Sequence, residues 1–362
     1  MFVLAPLAFV LFQQDSAPQI EPFAALTAEL AQRASEQRFA GVVGVGRGDE
    51  VLYLRGFGLA SVELGVPHAP ETRFKLHSLS KPLLATVLMR SVAAGRVELD
   101  APAGEYLEAW PDAWSAVTVA DLARHTAGIP DFAERFLDEW RGSARATWAA
   151  LAPSFGPDTA EAVPASTMRY SNAGYVLLAA LLETVWEAPL GELMERELFR
   201  PAGMRTATLE ALRTGGGYSG EAVLAQLATG YNGAPGALQV AHSKTYAIPG
   251  AAGVVCSAED LLAFARAFQG GQLLGDEART RMTTVLTGQS APYALGWVVR
   301  PRDGRRTLGH DGGNNGFVTA LELEPDAQLA LVILSNLGYV DLAELRTRVA
   351  ELVQAELAAP GR

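Results

Sequence analysis

A chain of 362 residues with 49% hydrophobic and 19% charged residues is long enough for two domains or one large one, and too apolar to be disordered or collagen-like. Its net charge of −11, with no block of five like charges, argues against a nucleic-acid or anionic-membrane surface. The single cysteine, Cys256, excludes an intramolecular disulfide, a CxxC redox motif and a cysteine-built zinc site.

Residues 2–12 form an uncharged apolar run, too short for a bilayer span of about 20 residues. The run has the length of a signal-peptide core, so residues 1–19 are expected to direct export. The segment lacks a positive leader, and Ser16-Ala17-Pro18 is a poor cleavage site, which leaves an uncleaved anchor or a cytoplasmic chain as alternatives. A helix is expected over residues 21–37, with Phe23, Leu26, Leu30 and Ala31 on one face. Residues 39–45 and 51–58 read as a hairpin turned at Gly48-Asp49-Glu50. The Gly44-x-Gly46 inside it fails as a dinucleotide loop, because Asp49 takes the third glycine position and a strand follows.

The middle of the chain is mostly helical. Residues 80–94 carry Leu83, Leu84, Val87, Leu88 and Val92 on one face and stop at Gly95. Thr118 with Asp121, and Ser257 with Asp260, resemble capping boxes that open two further helices. An apolar helix over 175–186 precedes another over 190–199, and the glycine-rich stretches 214–220 and 230–236 read as surface loops. Strands are expected at 293–299, 306–309, 317–323 and 328–334, with turns too short for parallel crossovers, and a helix over 342–357 closes the chain. The pattern predicts an α+β fold: an antiparallel sheet built from both ends of the chain and flanked by the terminal helices, with a mostly helical unit inserted. The sheet subdomain takes residues 20–77 and 245–362, and the helical subdomain 78–244.

Three short elements carry chemistry. Only Lys75, Lys81 and Lys244 of the 29 basic residues are lysines, and Lys can give up a proton in a site where Arg cannot. Lys81 follows Ser78 by three residues at a helix start, so both lie on one face. A serine needs a neighbouring base to become a nucleophile, and an amine of depressed pKa can serve. In Arg169-Tyr170-Ser171-Asn172, ahead of the apolar helix, alternate side chains present a tyrosine that can shuttle a proton and an amide that can bind substrate. In Gly309-His310-Asp311-Gly312-Gly313, His310 can donate to a substrate or bias Tyr170, and the glycines let a substrate approach a strand edge.

In this order, Ser-x-x-Lys, Tyr-x-Asn and basic residue-x-Gly resemble the motifs of the serine β-lactamase and penicillin-binding protein superfamily, in its class C-like branch of β-lactamase-related hydrolases. Residues 119–130, with His125-Thr126-Ala127-Gly128, resemble the family's HTxG stretch; 199–204 resemble its P-x-GM turn, and 253–260 its loop and helix before the last strands. The resemblance implies an acyl-enzyme mechanism on an ester or amide. Ser78 would be the nucleophile, Lys81 and Tyr170 would move its proton, and Asn172 would contact substrate. The N–H groups of Ser78 and Gly313 would form an oxyanion hole. Either Lys81 or Tyr170 can be the first base. His310 departs from the lysine of class C β-lactamases, which favours an esterase or D-amino-acid peptidase over a β-lactamase; a catalytically silent binding protein is the rival from another class.

The expected partner is a small-molecule or peptide substrate, with no cofactor, no metal, no nucleic acid and no membrane span beyond the N-terminal segment; the oligomeric state stays open. Asp311 and His125 read as turn residues, Cys256 as core, and Trp110, Trp114, Trp140 and Trp148 as packing. Gly217-Tyr218-Ser219-Gly220-Glu221 fails as a Gly-x-Ser-x-Gly elbow at its last position.

Overall fold

Helix α1 (Ala24–Ser35) leads into a hairpin of β1 (Gly41–Arg47) and β2 (Glu50–Phe57). Strands β3 (Leu59–Ser61) and β4 (Val66–Pro67) pair with each other, and β5 (Arg73–Lys75) runs into a 3-10 turn, His77–Leu79, that opens α2 (Ser80–Ala93). Then come α3 (Val119–Arg124), α4 (Ala133–Asp138), α5 (Ala144–Leu151), α6 (Asn172–Trp186), α7 (Leu190–Met194) and α8 (Arg200–Ala202). Short β6 (Thr208–Leu209), the hairpin of β7 (Tyr231–Ala234) and β8 (Ala237–Val240), and β9 (Val254–Ser257) precede α9 (Ala258–Gln269) and α10 (Asp276–Thr283). The chain ends with β10 (Val298–Arg302), β11 (Arg305–Asn314), β12 (Phe317–Glu324), β13 (Leu329–Ser335) and α11 (Leu342–Leu357). This computed structural model describes residues 23–156, 167–210, 224–241, 248–302 and 304–359; the apolar run 2–12, Lys244, the loop 214–220 and the failed elbow at 217–221 lie outside the described residues.

The expected α+β architecture is present. Six antiparallel strands in the order β10-β11-β12-β13-β1-β2 join the two ends of the chain, with Val43 opposite Ile333. Alternate residues point to opposite faces of a strand, and here both faces are apolar. Val43, Val45 and Ile333 pack with Phe23, Leu30, Leu345 and Val349 under α1 and α11. Val42, Val332 and Leu334 face Leu262 and Phe264 of α9 in the larger core. Each such burial stabilises the fold by roughly 1.5–3 kcal/mol. Arg33 ties α1 to α11 through two 2.7 Å hydrogen bonds to the Glu344 carboxylate, the fork geometry that suits guanidinium.

Both capping boxes form, Thr118 with Asp121 and Ser257 with Asp260. Cys256 is buried in β9, and Trp114 and Trp148 pack with Phe132 and Phe155 in the helical region. Two expectations need correction. Residues 231–240 form a hairpin where a loop was read over 230–236: Tyr231 is buried, and Gly236, at φ 80°, makes the tight turn that a β-carbon disfavours. The strand expected from residue 293 begins at Val298, because the chain turns back at Gly296. Among the described residues, no single helix is long and apolar enough to cross a membrane.

Candidate active site

Ser78 lies in the 3-10 turn, two residues before the α-helix proper. Three contacts pin this turn from outside. The Leu76 N–H donates to Val254 O at 2.9 Å, the Thr319 hydroxyl donates to Leu76 O at 2.9 Å, and the Ser80 hydroxyl accepts from Val254 N–H at 3.1 Å. His77 is held at φ 50°, a left-handed conformation that costs a non-glycine residue about 1–2 kcal/mol. The surrounding packing therefore imposes the turn on the local sequence.

Lys81 is wholly buried on α2, and its Nζ lies 3.2 Å from Ser78 Oγ, 2.8 Å from Asn172 Oδ1 and 3.0 Å from Ala251 O. Burial lowers its pKa from the usual lysine range to about 7, against the opposing pull of the Asp131 carboxylate. A neutral amine has two hydrogens and one lone pair. The Asn172 and Ala251 oxygens accept both hydrogens, which leaves the lone pair for the Ser78 hydroxyl. Asn172 thus holds the lysine, a role distinct from the substrate amide contact expected of it.

Asn172 and Tyr170 arrive from the entrance of α6. The N–H groups of Asn172 and Ala173 donate to the exposed Asp131 carboxylate at 3.2 and 3.1 Å, an acidic cap that suits a helix N-terminus. The Tyr170 hydroxyl lies beside Ser78, and burial pushes the phenol up to about 12 although part of the ring is open to solvent. Lys81 lies 4.7 Å from the centre of its ring, but desolvation dominates and Tyr170 keeps its proton.

His310 and Gly312 sit within β11, which extends beyond β10, whose pairing ends at Gly309. Here too the expectation changes. His310 is buried, its Nδ1 lies 2.7 Å from Asp311 O and its Nε2 3.1 Å from the Tyr293 hydroxyl. A carbonyl only accepts, so Nδ1 carries the proton and Nε2 accepts from Tyr293. Both nitrogens are occupied within the protein, and burial lowers the imidazole to about 4. His310 is therefore neutral at pH 7 and available neither as a substrate donor nor as a cation. Asp311, on the opposite face of the strand, pairs with Arg346 of α11 instead of sitting in a turn.

Gly312 has a different reason for being glycine than substrate access. A β-carbon there would stand 2.0 Å from Leu76 O and 2.5 Å from Thr319 Oγ1, so the strand reaches the nucleophile turn only without one. Gly313 is exposed and would meet nothing closer than 3.7 Å.

The family model described as beta-lactamase matches residues 23–354. The chain belongs to the beta-lactamase family. Like the hydrolases of this family, it is a serine hydrolase of the acyl-enzyme type. Penicillin-binding protein 4* of Bacillus subtilis is 26% identical over 324 residues, which cover 83% of this chain and 69% of that protein. The D-aminopeptidase of Brucella anthropi is 27% identical over 315 residues, 82% of this chain but only 56% of the relative's length. Among solved structures, the D-amino acid amidase of Ochrobactrum anthropi SV3 shares the fold at a TM-score of 0.77, with 19% identity over 93% of this chain and 99% of the amidase.

In this beta-lactamase family member, the site gathers residues that sequence reasoning passed over. Asp131 follows the HTxG-like stretch and carried no signal of its own. Tyr293 was read as part of a strand, and its hydroxyl meets His310. His125 lies against Tyr170, with ring centres 4.3 Å apart. A histidine read as a turn residue, within a stretch that already resembled the family, was the available signal.

Proposed function

We propose that Ser78 is the nucleophile, Lys81 the general base of acylation and Tyr170 the general acid. The observation that carries this assignment is the Lys81 amine, whose hydrogens are committed to Asn172 and Ala251 while its lone pair faces Ser78. The Ser78 proton passes to Lys81 as Oγ attacks the carbonyl carbon. Tyr170, protonated and beside Ser78, supplies a proton to the departing amine or alcohol and recovers one by way of Lys81. Water then repeats the sequence on the acyl-enzyme. The N–H groups of Ser78 and Gly313 hold the oxyanion, a contact whose loss costs roughly 2.7–4 kcal/mol.

The substrate we propose is an aminoacyl amide or ester, of the D-series that the Brucella anthropi relative's name indicates. Two features support it over a substrate gripped by its carboxylate: the third motif brings a neutral histidine in place of a cation, and Asp131 sets an exposed anion beside Asn172. The apolar run at residues 2–12 supports export as part of this proposal, and an exported enzyme would meet extracellular or periplasmic peptides. A fluorophosphonate probe followed by peptide mass spectrometry tests the nucleophile. The adduct is expected on Ser78 and absent from Ser78→Ala; equal labelling of that variant would overturn the mechanism. D-alanine p-nitroanilide is expected to exceed its N-acetyl derivative and nitrocefin in kcat/KM, and the reverse order would reject the substrate class.

His310 yields a separate prediction. Because its titration lies near 4, the pH dependence of p-nitrophenyl acetate hydrolysis between about pH 5.5 and 7.5 should belong to Lys81. His310→Gln is expected to keep the apparent pKa near that of the parent enzyme. A displacement of about one unit or more, equivalent to 1.36 kcal/mol, would return an acid–base part to His310.

A further inference from the structure

His125 touches the segment Arg169-Tyr170-Ser171 twice. Its carbonyl oxygen accepts from Arg169 N–H at 2.8 Å, and its ring Nδ1 accepts from Ser171 N–H at 3.2 Å. The backbone N–H groups of the residues before and after Tyr170 are thus both held by one residue. The ring also lies against the Tyr170 ring, tilted by 33°.

One residue can do this because of where it sits on α3. His125 is the C-cap, at φ 62° and ψ 32°, so the chain has left the helix and its carbonyl and side chain face the same neighbouring segment. The helix behind it is firmly held: Thr118 and Asp121 form the capping box, and the Thr126 hydroxyl donates to Asp121 at 2.7 Å. Nδ1 accepts, so the proton of the neutral ring is on Nε2, and that atom is buried among the tyrosine rings without a hydrogen-bond partner among the described residues. A leucine or phenylalanine would fill the space without this unmade bond, whereas neither supplies the Nδ1 acceptor. The unmade bond therefore marks Nδ1 as the atom the site requires.

We propose that His125 is a positioning residue that clamps the backbone on both sides of Tyr170 and so sets the tyrosine hydroxyl over Ser78. The proposal rests on the role given to Tyr170 above. Anchoring the backbone at the residues before and after Tyr170 restricts the direction of its Cα–Cβ bond, leaving the side-chain torsions to be set by packing. Misplacement of a reacting group by about 1 Å can cost about 100-fold in rate.

The test compares two replacements in two backgrounds, with kcat/KM for ethyl acetate, which reports acylation of Ser78 with a leaving alcohol that needs a proton, as readout. His125→Ala removes the ring acceptor and is expected to slow acylation by about 10- to 100-fold. His125→Asn tolerates the left-handed conformation and places an amide oxygen near the position of Nδ1, so it should recover most of that loss. In the Tyr170→Phe background, where no hydroxyl remains to be placed, His125→Ala should slow acylation by less than about 2-fold further, as expected for sites that act through one another. Thermal unfolding of each variant shows that folded protein is being compared. An equal loss in both backgrounds, or His125→Asn as slow as His125→Ala with the same unfolding midpoint, would overturn the clamp. Acylation of Tyr170→Phe at the parent rate would instead remove the acid role of Tyr170, and the clamp with it, while leaving Ser78 and Lys81 in place.

Discussion

Replacing Lys81 by arginine is expected to lower kcat/KM for p-nitrophenyl acetate by about 100- to 10,000-fold, the range a positioned general base contributes. Arginine keeps a positive charge and a long stem but has no accessible neutral form, and its guanidinium has only donors to offer Ser78. Lys81 differs in that burial brings its ammonium to a pKa of about 7, so at neutral pH a large share of the enzyme holds the free amine. The sign of the pH dependence follows. Below this pKa the third hydrogen occupies the lone pair, and kcat/KM should fall about tenfold per pH unit; above it the rate should level off. Lys81→Met, which buries no charge, is expected to lose a similar factor and separates the lost base from misfolding around a buried guanidinium. Retention of more than about a tenth of the parent rate by both variants would fall below the contribution of a general base and exclude Lys81 from that role.

The second large effect concerns Gly312. Gly312→Ala must move either β11 or the nucleophile turn, because neither the Leu76 carbonyl at 2.0 Å nor the Thr319 hydroxyl at 2.5 Å is the loose end of a flexible chain. Forcing a methyl into such packing costs about 1–3 kcal/mol. The same shift displaces Ser78 from Lys81 and from the strand that offers the Gly313 N–H, so acylation is expected to fall about 100-fold. Gly313→Ala is the comparison, since its β-carbon meets only ordinary contacts at 3.7 Å and beyond. Urea denaturation should show the Gly312 variant destabilised and the Gly313 variant within about 0.5 kcal/mol of the parent, as for a surface position. Equal stability of the two variants would show that the close approach between β11 and the turn is not needed by the fold.

Much of the fold was legible because its signals are local. The apolar period of α2, the capping boxes at Thr118 and Ser257, and the short apolar runs of β12 and β13 each follow from a few neighbouring residues. The hairpin of β7 and β8 escaped because Tyr-Asn-Gly-Ala carries little apolar alternation; strand pairing and the buried Tyr231 hold it. The start of β10 escaped because Tyr293 is buried against His310, and Trp297 against Phe264 and Phe268 of α9, neither as part of a strand.

Within the site, the register of Ser78 and Lys81 was readable because a helix fixes residues three apart on one face. The sequence alone also placed Tyr170 two residues from Asn172, and two glycines after His310. It could not supply the state of these groups. His310 and Lys81 both belong to types that can be charged near neutrality, and their local sequence says nothing about which will be. The tertiary structure decided this by burial, which opposes charge, and by hydrogen bonds from distant segments. Ala251 and Asn172 orient the amine of Lys81, Tyr293 and Asp311 occupy both nitrogens of His310, and His125 holds the loop of Tyr170. A motif can specify which atoms are present, but a pKa depends on what surrounds them, and here those surroundings come from parts of the chain far apart in sequence.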